Sequence, residues 1–307
     1  SAALIVSYSM REVEVNTVAL WLYALLTSIA VGSCLVYLNP AAAYYVNGIG
    51  FQGILNHPQS FGIVLAPLAA FLAGNILFCN VKNIPWATLA LAAVLVLQVM
   101  SKARGPVVAL VLSIVTVYFF QLLPSLRNRL SSLPSLQLRL VLLVVFVALI
   151  VGLYAPVRTA VTSFVFKRES SSMEEAVSSR SGGYESQFQN FLAEPLIGHG
   201  FGIYPGPAPA KSISYLMGVP ISAPVEKGFV ITAVLEETGV VGALFFGFIV
   251  LSLVRAVVMN YRPEWQCIFF ASLYINIGEC VFFSTGGLGI FFWVLFGVSS
   301  VIKVNRL

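Results

Sequence analysis

The chain alternates long apolar stretches with short polar or charged breaks, and only once does a polar interval grow long. Eight apolar stretches have helical length: Thr17 to Leu38, Ser60 to Phe78, Ile84 to Val99, Val107 to Leu122, Leu138 to Tyr154, Phe229 to Val254, Trp265 to Phe283 and Gly287 to Val304. A helix needs about 20 apolar residues to cross a bilayer, where it satisfies its own backbone polar groups. The pattern predicts an all-α, polytopic transmembrane helical bundle of about eight spans. The alternating strand-length segments of an outer-membrane barrel are absent from the sequence. The predicted organisation is 1–156 for helices one to five, 157–228 for a long extracytoplasmic loop containing short helices, and 229–307 for helices six to eight.

Prolines and aromatics punctuate the same boundaries. Pro40, Pro58, Pro85, Pro106, Pro124, Pro134, Pro156 and Pro263 lie near proposed helix ends, where a missing N–H costs little. Pro67 falls inside the second stretch and predicts a kink there. Trp21, Trp86 and Trp265 sit near span ends, as amphipathic aromatic anchors do. Within the loop, Tyr184, Phe188, Phe191 and Leu192 recur at helical spacing, and Glu194-Pro195 ends that short helix.

Composition agrees with the pattern. Of 307 residues, 59% are hydrophobic and 9% charged, against about 25% charged in soluble domains. The formal charge of +5 is spread over many junctions; it forms no basic stripe, so no nucleic-acid partner is expected. With alternating spans, Arg11, Lys82, Arg127, Arg129, Arg139, Arg255, Arg262, Lys303 and Arg306 share one side. The positive-inside rule makes that side cytoplasmic and puts residues 157–228 outside. Cys34, Cys79, Cys267 and Cys280 fall in or beside apolar runs and read as small packing residues. Without Asp, and with its two histidines far apart, the sequence offers no metal site, and no cofactor is expected. The apolar Ala2 to Val6, following Ser1, reads as the tail of a helix that starts upstream.

Water-soluble chemistry is confined to the polar interval and the helix ends facing it. Arg104 follows Ser101-Lys102-Ala103 and precedes Gly105-Pro106, at the start of the fourth span. An arginine there meets the positive end of the helix dipole. An anion satisfies both charges, and guanidinium geometry suits phosphate. Arg180 can supply a second fork; the plainer role for Arg104, and more so for Lys102, is snorkelling to lipid headgroups. Glu226 and Lys227 precede the sixth span and Glu237 lies within it; on a helix Glu226 and Glu237, eleven residues apart, share a face. The carboxylates are candidates for a general base or for pinning loop arginines. Gly198, Gly200 and Gly202 permit close backbone approach to a neighbouring helix or to a ligand. His199 between them is a candidate catalytic group or a structural hydrogen-bonding one, and His57 reads as a capping residue.

These residues together resemble the O-antigen ligase and O-antigen polymerase family of bacterial polytopic membrane proteins. Ser101-Lys102-Ala103-Arg104-Gly105 resembles its Ser-Arg-Gly signature. Arg180, Tyr184 and Glu194-Pro195-Leu196-Ile197-Gly198-His199-Gly200-Phe201-Gly202 resemble its arginine and glycine loop. Glu226-Lys227-Gly228-Phe229, running into Glu236-Glu237-Thr238-Gly239-Val240-Val241-Gly242, is similar to its helix start, and Asn56 to Gly62 to an element upstream. The resemblance covers about residues 50–255 in the family's order. It implies metal-independent, inverting glycan transfer at the outer face of the bacterial inner membrane, with the long loop in the periplasm. The donor would be an undecaprenyl-pyrophosphate-linked glycan and the acceptor a glycan or lipid-linked sugar. It implies that Arg104 and Arg180, with Lys102, Tyr184, Gly198, Gly200, Gly202 and Lys227, hold the donor. Glu226-Lys227 stand where the family carries His-Asn, which points to a polymerase with Glu226 as substitute base. Ligation to lipid A core and protein O-glycosylation are the alternatives. Outside the family, a membrane transporter or a scaffold competes; a transporter calls for broken or ionisable features near span midpoints.

Overall fold

The computed structural model describes residues 15–45, 50–79, 84–128, 185–200, 203, 215–216, 219–220, 228–259, 262–283 and 287–301. Among these the protein is helical, apart from an antiparallel pair of two-residue strands, β1 (Tyr215–Leu216) and β2 (Val219–Pro220), with Tyr215 opposite Pro220. The helices are α1 (Val15–Val36), α2 (Pro40–Ala43), α3 (Pro58–Phe78), α4 (Ile84–Met100), α5 (Arg104–Asn128), α6 (residues 185–193), α7 (Val230–Met259), α8 (Pro263–Glu279) and α9 (Gly287–Val301). Helices occupy seven of the eight stretches that the apolar pattern marks, and Leu138 to Tyr154 lies outside the described residues. Three are long and apolar enough to cross a membrane: α3, the Arg104–Gln121 part of α5, and α7. Leu20–Val36, Ile84–Met100 and Leu288–Val301 are shorter apolar helices.

The chain divides into two compact units, Ser1–Val117 with Gly183–Leu307, and Tyr118–Gly182. In the second, the described residues are the end of α5, where the Phe119 and Phe120 rings meet edge to face at 6.5 Å. α5 continues through Pro124 to Asn128, so that proline does not end the helix as its position predicts; a proline removes a single backbone donor.

In the first unit α3 is the central helix. His57 caps it, its Nδ1 accepting from the Gln59 N–H at 3.1 Å, and Pro58 presets the first turn. Its small side chains let neighbours approach closely. A Cβ on Gly74 would lie 2.8 Å from Glu264 Cα in α8, and one on Gly62 would lie 2.6 Å from Ala103 Cβ beyond α4. Gln59, at the other end of α3, bonds Glu279, so α8 runs antiparallel to α3. Phe51 is fully buried against Phe61 at 5.3 Å, and its N–H donates to the Met100 carbonyl at 2.9 Å. These contacts bring the start of α3 and the end of α4 together. Gln266 Nε2 of α8 donates to the Val257 and Val258 carbonyls at 3.2 and 3.3 Å, setting α7 antiparallel to α8. An aromatic cluster of Phe269, Phe282, Trp293 and Phe296 joins α8 to α9.

Trp265 corrects the expectation of an interfacial anchor. It is buried, and its ring meets Phe71 of α3 at 5.8 Å. Trp21 and Trp86 are exposed. Beside Trp265, the bundle end is closed by Glu264, which accepts from Arg262 Nε at 2.8 Å and from Cys79 Sγ at 3.3 Å. Burial, with the Glu264 charge adding to it, pushes the Cys79 thiol up to about 12.

Candidate functional site at the opposite end of the bundle

The most unusual local structure is a break in α7. Gly239 has φ 63° and ψ −168° inside the helix, a combination open to glycine and costly for other residues. An unbroken helix would bond the Val240 and Val241 N–H groups to the Glu236 and Glu237 carbonyls, four residues back. Here the turn after α6 is spliced between them. Val240 N–H donates to the Pro195 carbonyl at 2.9 Å and Val241 N–H to the Leu196 carbonyl at 3.2 Å. In return, His199 N–H donates to the Glu236 carbonyl and Gly200 N–H to the Glu237 carbonyl, both at 2.9 Å. Four bonds replace two, and the two N–H groups and two carbonyls that the break separates all find partners in the turn.

The splice requires two glycines. A Cβ on Gly239 would lie 2.4 Å from the Leu196 carbonyl oxygen, and one on Gly198 (φ +67°) 2.5 Å from the Glu237 carbonyl carbon. Side chains lock the segment further. Asn190 Nδ2 donates to Glu236 Oε1 at 2.7 Å, His199 Nε2 pairs with the Asn190 carbonyl at 2.9 Å, and Thr232 Oγ1 donates to Gln187 Oε1. Glu236 and Glu237 are both buried.

A second polar assembly lies where α5 begins. Ser101 Oγ donates to the Gln98 carbonyl at 2.6 Å and accepts from Ala103 N–H at 3.2 Å, shaping the turn from α4 into α5. Lys102 is exposed and takes the left-handed conformation with φ 59°, and Arg104 is half-buried as the first residue of α5. Glu279, at the end of α8, brings Oε1 to 3.3 Å from the point a Gly105 Cβ would occupy. A carboxylate therefore sits at the positive end of α5, where the helix dipole favours it. Gln59 Nε2 donates to its other oxygen. Among the described residues, every φ in the left-handed region belongs to these two assemblies or to adjoining turns: Gly53, Lys102, Gly198, Gly200, Gly239 and Cys280.

Of the residues the sequence singles out, Lys102, Arg104, Gly198, His199, Gly200 and Glu237 lie at this end, while Arg180, Tyr184, Gly202, Glu226 and Lys227 are outside the described residues. α7 starts at Val230, with Gly228 and Phe229 ahead of it, and the pairing of Glu226 with Glu237 on one face falls outside the described residues. Gly198 makes its close approach to a helix, and His199 holds the loop through backbone and ring.

Four participants escaped the sequence reading: Gln59, Gln187, Asn190 and Glu279. Gln187 and Asn190 stand three apart on the predicted short helix, a spacing that puts both on one face. Glu279 was legible as a carboxylate late in an apolar span. Among the described residues no three His, Cys or acidic side chains are grouped to hold a metal ion. The chain matches no known protein family and no curated protein.

Proposed function

We propose that the protein transfers a glycan from an undecaprenyl-pyrophosphate donor to an acceptor sugar at the outer face of a bacterial inner membrane, in the manner of a polymerase assembling O-antigen or exopolysaccharide. The observation that carries this reading is the pairing of the segments on which the resemblance rests. The Ser101–Gly105 turn packs on Gly62 of the Asn56–Gly62 element, and Glu194–Gly200 is spliced into the Glu236–Gly242 region of α7. Each pair joins segments distant in sequence; one holds the cationic start of α5 and the other the buried Glu236 and Glu237.

In this mechanism the acceptor hydroxyl attacks the anomeric carbon from the face opposite the pyrophosphate. The new O–C bond forms as the C–O bond to phosphate breaks, with inversion. The hydroxyl proton passes to a carboxylate, Glu226 in the first instance, with Glu237 as support. Arg104 and Arg180, aided by Lys102 and Lys227, neutralise the charge gained by the leaving pyrophosphate, and preorganised cations favour that transition state over the ground state. Tyr184, Gly198, Gly200 and Gly202 shape the donor site; His199 fixes the loop. A ligase or a protein oligosaccharyltransferase would differ in the acceptor alone.

The break in α7 favours a second reading, a transporter, since broken helices with buried carboxylates line substrate paths in such proteins. It weighs less because the loop's own backbone fills the break. The deciding experiment uses purified protein in lipid nanodiscs with a radiolabelled undecaprenyl-pyrophosphate glycan. Arg104→Ala and Arg180→Ala are expected to lose donor binding and release of lipid pyrophosphate. Binding and release unchanged in both variants would sink the anion site and move the transporter ahead.

A further inference from the structure

We infer that residues 185–200 are seated in the bilayer, with one edge of α6 and the turn after it against lipid acyl chains. The sorting of side chains on α6 carries this. Gln187 is buried and bonds Thr232, and Asn190 bonds Glu236, so the polar side chains of one arc point into the protein. Phe188 and Leu192, a turn apart, are exposed, and Phe191 lies beside Phe188 at 5.9 Å. Glu185, Ser186 and Gln189 are exposed as well. At about 100° per residue these sets fall on three separate arcs, polar inward, apolar outward and polar outward. A surface helix in water turns its apolar stripe to the protein and its polar residues to solvent. The arrangement here suits a helix with protein on one side, hydrocarbon on a second and water on a third.

The turn extends the apolar edge, with Leu196 69% and Ile197 72% exposed. It abuts α7 through the splice, and Val240 and Val241 beside it are exposed too. Leu244, Phe248 and Leu251 continue that face along a helix long and apolar enough to cross a membrane. The occupant of the edge follows from this continuity: the same acyl chains that cover α7 cover the turn. It also explains the four-bond splice, because hydrocarbon offers an interrupted backbone no partner. The inference is independent of glycan transfer.

The test places single tryptophans in the full-length protein in nanodiscs, as Leu192→Trp, Leu196→Trp and Gln189→Trp, and reads the emission each adds to the parent. The quenchers are phosphatidylcholine with brominated acyl chains and aqueous acrylamide. Emission added at positions 192 and 196 is expected to fall several-fold more with brominated lipid than with acrylamide, and at 189 the order reverses. Quenching of 192 and 196 by acrylamide instead would put the edge in water and overturn the seat. Protection from both quenchers would overturn it equally, by showing that protein covers the edge.

Discussion

α3 and α7 are built from similar material and live in different surroundings. Both are long and apolar enough to cross a membrane, yet 72% of the most apolar window of α3 is buried in the protein and 11% of that of α7. Both also carry a helix breaker. Pro67 in α3 deprives the Ile63 carbonyl of its helical donor, among tightly packed neighbours such as Ala66, Ala69 and Ala70. Gly239 in α7 displaces two helical bonds, and an extra-helical segment replaces them. Hydropathy thus marks which helices are apolar enough to leave water and says nothing about which meet protein. Where a helix faces lipid, a break persists if the chain brings its own partners to it.

The sharpest way to break this comparison is Gly239→Ala. The backbone conformation there costs about 1–3 kcal/mol for a non-glycine residue, and the new Cβ would clash with the Leu196 carbonyl at 2.4 Å. The two effects together put the expected loss above about 3 kcal/mol, with the 194–200 turn displaced from α7. Limited proteolysis and thermal unfolding in nanodiscs check it. Unchanged protease resistance would mean that the splice does not hold the loop.

Gly74→Ala probes the crowded helix. Its Cβ would lie 2.8 Å from Glu264 Cα and 3.2 Å from Cys267 Sγ, so α8 must move. Overpacking of this kind costs about 1–3 kcal/mol, read by thermal unfolding. Cys79 reports the same strain. With its thiol pushed up to about 12, alkylation in the parent is slow near neutral pH and rises with pH, because the thiolate is the nucleophile. Loosening the contact to Glu264 admits water, lowers that value and speeds alkylation.

How much of this was legible follows from what each residue does. The helices were readable because a run of apolar side chains of helical length is a local signal, and His57 because capping is local. The short loop helix showed in the spacing of Phe188, Phe191 and Leu192. The break at Gly239 did not, since its cause lies some forty residues away in the partner turn. Trp265 looked like an interfacial anchor because its place in the chain says nothing of Phe71 beside it. Glu279 went unnoticed at the start of α5 because α8 delivers it from far along the chain. Local signals gave the elements, and long-range contacts made the site.

Gln98 sharpens the picture of the α3 surroundings. It is fully buried on α4, and neither polar atom of its side-chain amide meets a hydrogen-bond partner among the described residues. Removing such a group while keeping its volume recovers the desolvation cost, so Gln98→Met is expected to gain about 1 kcal/mol. Thermal unfolding reads the gain. A loss of similar size would mean that a buried water or a substrate group completes the amide.

The smallest effect is expected on the exposed helix, at Gly247. A Cβ there meets nothing within 4 Å, so Gly247→Ala adds no strain and exchanges a poor helix former for a good one. The change is expected to stay within about 1 kcal/mol, on the stabilising side. The same substitution thus has opposite signs on the two helices, a cost at Gly74 and a slight gain at Gly247, measured in one unfolding assay. If Gly247→Ala cost as much as Gly74→Ala, another protein surface would have to lie against that side of α7. A second copy of the chain would be the first candidate, and the lipid-facing assignment of α7 would fall with it.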